Sequence, residues 1–189
     1  MNIISGLARN VELAVPRGLE IRPTAGRARK ALFDSLGPLA DLGFADLCSG
    51  SGAFALEAAS RGASPVLAVE KDPEHVKIIQ INAERVRKTG VLSDIRIVTA
   101  DIRSVAAYTP LPENCSFLFA DPPYAESAHL FAELLADPLF RKHAAGRRLI
   151  WEIPDTPGAA GDFVDAPFLD DPVFRRFGGT LFLSGSVRE

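Results

Sequence analysis

Phe44-Ala45-Asp46-Leu47-Cys48, Ser49-Gly50-Ser51-Gly52 and the run from Ala53 to Arg61 follow one another directly. The first is short and mostly apolar, as a buried strand is. The second is a glycine turn. The third is an alanine-rich helix, ended by Gly62, which tolerates the left-handed backbone of a helix stop. Strand–turn–helix is the opening unit of a parallel sheet, and the chain repeats it. Val66–Val69 is a second strand, closed by Glu70. Asp72-Pro73 opens a helix in which Val76, Ile79, Ala83 and Val86 recur at helical spacing before Gly90. Ile95–Val98 is a third strand with Asp101 just beyond it, and Phe117–Ala120 is a fourth, followed by Asp121. Ser127–Leu135 reads as a helix and Arg148–Ile153 as a fifth strand. The tail changes character. Val173–Phe177 and Thr180–Leu183 flank Gly178-Gly179, a two-residue hairpin signal. The predicted fold is therefore α/β: a Rossmann-like, mostly parallel sheet with helices on both faces and an antiparallel C-terminal hairpin.

An extension precedes this unit. Asn2-Ile3-Ile4 and Glu12–Val15 suggest a small hairpin. Arg22-Pro23-Thr24 is extended, since residues before proline avoid the helical region. Thr24 is placed to cap a helix running to about Leu36, stopped by Gly37-Pro38. Ala28, Ala31, Leu32, Ser35 and Leu36 form its small or apolar face, with Arg27, Arg29 and Lys30 off that face. The expected organisation is an extension over residues 1–38 and a main domain over 39–189.

The 189 residues suffice for one core, and 47% apolar with 24% charged content is ordinary for a soluble domain. A net charge of −3 gives no global attraction to nucleic acid. Residues 1–30, however, carry Arg9, Arg17, Arg22, Arg27, Arg29 and Lys30 against only Glu12 and Glu20, which points to a local polyanion contact. Cys48 and Cys115 are far apart and outside any C-x-x-C pair, which argues against a disulfide framework or zinc site and for a cytoplasmic location. No apolar run nears the ~20 residues of a membrane span, and no signal-peptide core opens the chain. His75, His129 and His143 are scattered, so no metal set is expected.

In such a sheet ligands bind beyond the carboxyl ends of the strands. Asp46, Glu70, Asp101 and Asp121 end four successive strands, beside the glycine turn and Asp121-Pro122-Pro123-Tyr124. Gly50, Gly52 and Ala55 also fit the dinucleotide pattern G-x-G-x-x-A, so a nicotinamide enzyme is a rival. Three features oppose it: Asp46 would meet a pyrophosphate with negative charge, no second substrate domain is present, and D-P-P-Y has no part in hydride transfer. S-adenosylmethionine, with no phosphate and with cationic ammonium and sulfonium groups, suits the acids better. Gly50 and Gly52 admit close backbone approach. Glu70 can accept from the ribose hydroxyls and Asp101, with Ile102 beside it, can meet the adenine. Asp46 can hold the ammonium end.

Asp46-Leu47-Cys48-Ser49-Gly50-Ser51-Gly52, Glu70 and Asp121-Pro122-Pro123-Tyr124 together resemble the signature of class I methyltransferases acting on nucleobase amines. Ile3-Ile4-Ser5-Gly6, Arg22-Pro23-Thr24 with its basic helix, and Ser60-Arg61-Gly62-Ala63 resemble one family more narrowly, the bacterial small-subunit ribosomal RNA guanine-N2 methyltransferases. The resemblance runs from about residue 2 to about residue 184. Cys48-Ser49 departs from it, standing where an aromatic and a small residue are commoner, as does Ala25-Gly26, where a polar pair is commoner. The resemblance implies a monomeric methyltransferase using S-adenosylmethionine on the N2 amine of a guanine in 16S ribosomal RNA, naked or within the small subunit. Asp121 and Pro122 would grip the amine and Tyr124 stack on the base. Arg22, Arg27, Arg29 and Lys30 would clamp RNA phosphates, and Thr24 would serve either the methionine end of the cofactor or the RNA. Two other functions stay open: a DNA adenine-N6 or cytosine-N4 methyltransferase, for which the chain has no evident target-recognition region, and a catalytically silent RNA-binding module.

Overall fold

The computed structural model describes residues 1–16, 23–153, 155–164, 166–177 and 179–189, with the side chains of residues 23–25 outside that description. Among these residues seven strands form one sheet: β1 (Gly43–Asp46), β2 (Val66–Glu70), β3 (Ile95–Thr99), β4 (Cys115–Ala120), β5 (Arg148–Ile153), β6 (Leu169–Phe177) and β7 (Thr180–Val187). Their spatial order is β3-β2-β1-β4-β5-β7-β6. β1 to β5 pair in parallel, while β7 is antiparallel to both β5 and β6. The chain winds outward from β1 to β3, then returns to place β4 on the other side of β1. The gap between the ends of β1 and β4 is therefore a topological switch point, where open α/β sheets bind ligands.

The helices are α1 (Pro23–Leu36), α2 (Ala53–Ser60), α3 (Pro73–Arg87), α4 (Val105–Tyr108), α5 (Tyr124–Ala136) and α6 (Pro138–Ala144). Every residue of β1 and β2 is buried, because helices cover both faces of the sheet. On one face Leu32 and Phe33 of α1, Leu56 of α2 and Ile79 and Val86 of α3 pack with Phe44, Phe119 and Phe182. On the other, Leu130, Phe131 and Leu134 of α5 and Phe140 of α6 pack with Leu118, Trp151 and Leu183. The buried Trp151 indole donates to Ser127 Oγ at 2.9 Å.

Local chemistry sets the helix starts. Asp72 caps α3 by accepting the Glu74 N–H at 2.8 Å, with Pro73 in the first turn. Asp137-Pro138 does the same for α6, and Ser104 caps α4. Neither α4 nor α6 is anticipated by the sequence pattern: their four and seven residues are too short to show a period. Two expected boundaries move. α1 begins at Pro23, so Thr24 lies within its first turn instead of capping it. α5 begins at Tyr124, not Ser127, with Pro123 at the N-cap position.

The first fourteen residues are pinned to α2 and α3. The expected hairpin is reduced to one bridge between Asn2 and Glu12. Glu57, fully buried on α2, accepts the N–H groups of Ile4 (2.8 Å) and Ser5 (3.0 Å) and the Arg61 Nε–H (2.8 Å). Gly6 has φ +80°, and a Cβ there would lie 1.9 Å from the Ser60 carbonyl oxygen, so only glycine fits. Asn82 of α3, also fully buried, accepts the Ala14 N–H and donates to the carbonyls of Ala14 and Ser51, all within 2.9 Å.

This segment corrects one expectation about α1. Arg29 is not on the solvent face: it is 2% exposed, donates to the Asn2 carbonyl at 2.6 Å and lies 3.8 Å from Glu57. The N-terminal segment covers a second side of the helix, so a position outside the apolar stripe is buried by polar contacts instead. Arg27 and Lys30 are exposed, and Lys30 pairs with Asp34 at 2.5 Å.

Removing a partner from a buried ionic network leaves uncompensated charge, at a cost of about 3–5 kcal/mol, whereas exposed pairs contribute less than about 1 kcal/mol. Glu57→Ala is therefore expected to lower unfolding free energy by about 3–5 kcal/mol and Lys30→Ala by less than about 1 kcal/mol, read from denaturant midpoints at constant slope.

Candidate active site

β1 to β4 carry their acids to the switch point. Asp46 is the last residue of β1 and Glu70 the last of β2; both are buried. Asp101 follows β3 by two residues, and Asp121 immediately follows β4. Their convergence is visible at Cys48. Burial pushes its thiol well above the ordinary range, and the charges of Asp46, Asp121, Glu70 and Asp101 push it further the same way. The departure residue in the glycine motif thus sits among the four acids, as a protonated thiol with no nucleophilic character at neutral pH.

Each acid is held differently. Glu70 accepts the Gly50 N–H at 2.8 Å on one oxygen and the Asp72 N–H at 2.9 Å on the other, which fixes the glycine turn to the end of β2. A carboxylate has about four acceptor positions, so two remain for donors from a ligand. Gly52 stands at the head of α2 with φ 78° and no capping side chain, and a Cβ there would press to 3.0 Å from Ile79 Cγ2. Asp46 is pushed up to about 7, chiefly by burial and further by the charge of Asp121, against hydrogen bonds from the Cys48 and Ala55 N–H groups. Asp101 accepts the Arg103 N–H at 2.9 Å. The Arg103 guanidinium continues to Glu126 (2.9 Å) and Glu133 (3.2 Å) on α5, tying this loop to the helix after D-P-P-Y. Ile102 is buried beside it.

Asp121 is half-buried and Pro122 buried; Tyr124 is 38% exposed at the first position of α5. The Tyr124 hydroxyl donates to Glu152 Oε1 at 3.3 Å. Glu152 is 4% exposed and near the end of β5. Because Ala120 pairs with Trp151 in the parallel ladder, Asp121 and Glu152 come next to one another. Sequence reasoning passed over Glu152, although an acid inside Leu149-Ile150-Trp151-Glu152-Ile153 was its available signal.

The structure therefore gathers Asp46, Gly50, Gly52, Glu70, Asp101, Ile102, Asp121, Pro122 and Tyr124 at one end of the sheet. Arg22 and the Thr24 side chain fall outside the described residues. The β6–β7 turn lies at the same end, since Leu181 pairs with Ile153. It carries Arg175 and Arg176, which the sequence reading did not single out, on opposite faces of the outer strand β6: Arg176 meets Asp155, just past β5, at 2.9 Å, while Arg175 lines a cavity under α1 with Leu32, Arg148 and Ser184. His75 lies 3.9 Å from Glu70. Among the described residues no group of His, Cys, Asp and Glu is arranged to hold a metal ion.

With this geometry established, the chain can be placed among known proteins. Residues 1–145 match the model of a family described as conserved hypothetical protein 95. A candidate rRNA methyltransferase of Bacillus subtilis (strain 168), YlbH, is 30% identical over 129 residues, covering 67% of this chain and 68% of the relative. Ribosomal RNA small subunit methyltransferase D of Escherichia coli (strain K12) is 32% identical over 127 residues, 66% of this chain and 60% of that one. Among solved structures, a hypothetical protein of Thermus thermophilus is 32% identical with a TM-score of 0.71, covering 99% of both chains. A candidate methyltransferase of Escherichia coli, yhhF, is 25% identical with a TM-score of 0.74, covering 100% of this chain and 99% of that one. The chain shares its overall fold with these solved structures, and it belongs to the conserved hypothetical protein 95 family, the family of small-subunit ribosomal RNA methyltransferase D.

Proposed function

We propose that this protein is an S-adenosylmethionine-dependent methyltransferase acting on the exocyclic N2 amine of a guanine in 16S ribosomal RNA. The observation that carries this reading is the placement of Asp121-Pro122, directly after β4, at the β1/β4 switch point among Asp46, Glu70 and Asp101. The names borne by the relatives support an rRNA substrate.

The crevice fits this cofactor and not a dinucleotide. Its walls are carboxylates, which repel a pyrophosphate and favour cationic groups. Glu70 is oriented by two backbone N–H groups and keeps acceptor capacity for ribose hydroxyls. Gly52, with φ 78° and a would-be Cβ pressed against Ile79 and Leu56, lets the turn take the conformation that Glu70 fixes. Asp101 and Ile102 would border the adenine, and Asp46 would face the ammonium end. When bound, S-adenosylmethionine supplies an electrophilic methyl group on a sulfonium.

The chain's own residues prepare the amine. Its lone pair is delocalised into the ring, so it is a poor nucleophile. The Asp121 carboxylate and the Pro122 carbonyl would accept its two N–H bonds and turn the lone pair toward the methyl donor, an orientation and electrostatic effect. Asp121 is then placed to receive the proton that the amine loses. The Tyr124 ring would stack on the base, with its hydroxyl anchored on Glu152. The base must be unpaired or flipped out to enter. Arg27, Lys30 and Arg176, with Arg22, would meet phosphates around the rim, and residues 1–38 would act as the RNA-contacting extension of a domain spanning 39–189. Arg29 has no such part, being buried. No helix among the described residues is long and apolar enough to cross a membrane, and the proposed setting is a cytoplasmic monomer.

Incubation with labelled S-adenosylmethionine and unmodified 16S RNA or small subunits, followed by nucleoside analysis, should yield N2-methylguanosine. Label on adenine, or on DNA alone, would show that the substrate is a different amine, and a chain that binds no cofactor would be a silent RNA-binding module. Asp121→Ala should lower turnover by about 10²–10³-fold, the scale of losing one transition-state contact. Cofactor affinity by calorimetry should hold within about threefold, because Asp121 serves the amine rather than the methyl donor.

The proton on Asp46 gives a separate expectation. Its carboxyl titrates at about 7 in the folded protein against an ordinary 3.8. The folded state therefore binds more protons than the unfolded chain between those values, so the contribution of Asp46 to stability falls as pH rises from about 4 to about 7. A cationic cofactor favours the ionised form, so affinity for S-adenosylmethionine should rise from about pH 6 to about pH 8, with proton release on binding near neutrality. Asp46→Asn should flatten this pH dependence, measured by calorimetry in buffers of differing ionisation enthalpy.

A further inference from the structure

Glu152 has no part in the reaction as derived so far beyond holding the Tyr124 hydroxyl. Yet it is a buried carboxylate in the strand next to Asp121, at adjacent register. Neighbouring parallel strands are ~4.8 Å apart, so the two acids are spaced to contact adjacent groups on one base edge.

The edges of the bases differ at that spacing. The adenine N6 amine is flanked by N1 and N7, both acceptors. The cytosine N4 amine is flanked by the N3 acceptor. The guanine N2 amine has N1, which carries a hydrogen, on one side and the N3 acceptor on the other. On the Watson–Crick side of the amine, a second carboxylate therefore meets an acceptor lone pair on adenine (N1) or cytosine (N3) and a donor on guanine (N1). Burial sharpens the contrast, because a desolvated charge facing a lone pair has no water to relieve it.

We infer that Glu152 is the specificity-determining residue of this site: its carboxylate accepts the guanine N1–H while Asp121 and Pro122 hold the N2 amine. This rests on the guanine-N2 reading of the same crevice. Oε1 already accepts from Tyr124. The two oxygens together offer about four acceptor positions, so the base N–H joins that contact instead of replacing it. N1 keeps its proton throughout, and no bond to it is made or broken.

The test is a base that keeps the 2-amine and loses the N1–H. 2-Aminopurine does so, having an acceptor at N1; it also lacks O6, a loss common to wild type and variant, so the Glu152→Gln comparison assigns the effect to N1. It is placed by ligation of a synthetic segment at the position where the protein methylates guanine. The wild-type kcat/KM should fall by at least about tenfold on 2-aminopurine, the worth of a hydrogen bond to a charged group. Glu152→Gln, whose amide can donate to the bare N1, should shrink that ratio by about tenfold or reverse it, with cofactor affinity within about twofold of wild type as a check on folding. Tyr124→Phe should keep the discrimination while losing the anchor on the ring. Equal wild-type rates on the two bases overturn the inference without any variant. So does a Glu152→Gln protein that binds cofactor normally and discriminates as before, or a Tyr124→Phe protein that loses discrimination, since Glu152 would then act only through the ring. A wild-type protein that forms no N2-methylguanosine on any RNA overturns the parent reading instead, and this one with it.

Discussion

Negative charges repel, and this fold collects four of them. The return of the chain from β3 to β4 across β1 brings the ends of successive strands together. Each of those strands ends on, or within two residues of, an acid. In a low-dielectric crevice such charges strongly disfavour one another unless each has a counterweight. Glu70 has two backbone N–H groups, and Asp101 has the Arg103 backbone and side chain. Asp46, the most enclosed, has a long N–H contact from Cys48 (3.4 Å), the Ala55 N–H and the Ser49 side chain, which do not offset its burial, and it holds its proton to about 7 instead. The crevice therefore carries a graded charge whose deepest member, the one that keeps its proton longest, is the one that would ionise in response to an arriving cation. That grading is a property of the sheet's winding and of burial, not of any one motif.

The glycine turn must keep its shape under that repulsion, and it is fixed from two sides. Glu70 holds Gly50, and Asn82 holds the Ser51 carbonyl. Asn82 is also the clasp for Ala14. The N-terminal segment is thus bonded to the same residue as the turn, while Glu57 and Ser60 secure its earlier part to α2. Burying Glu57 with Arg29 and Arg61 is costly in desolvation. The return is orientation: the backbone of residues 4 and 5 has one place to go.

Much of the sheet was legible because its signals are local. β1 to β5 are short, largely apolar runs, the first four closing on or just before an acid, and Asp72-Pro73 names its own helix start. The four strand-end acids and the two glycines were legible for the same reason. What escaped depended on contacts across the chain. Nothing in Arg27-Ala28-Arg29-Lys30 says that one cation is buried, because the layer that buries it is the N-terminal segment, more than twenty residues away. α4 and α6 are too short for periodicity, although Asp137-Pro138 repeats the capping pattern of Asp72-Pro73. Glu152 reads as one more polar residue at a strand end until the ladder register sets it beside Asp121.

The proline pair in Asp121-Pro122-Pro123-Tyr124 takes on a further sense from that register. Pro123 stands at the N-cap position of α5, and Tyr124 is already helical. Neither proline has an N–H, so this stretch places no competing backbone donors between the Asp121 carboxylate and a base edge. Their fixed φ angles leave the exit from β4 little freedom. The Tyr124 ring is consequently aimed by the helix start and held by Glu152 from the neighbouring strand. Under the proposed function the tetrapeptide would supply the grip on the amine, but its geometry is completed by β5, a strand about thirty residues further along the chain, and a site assembled from two strands could then distinguish bases by what flanks that amine.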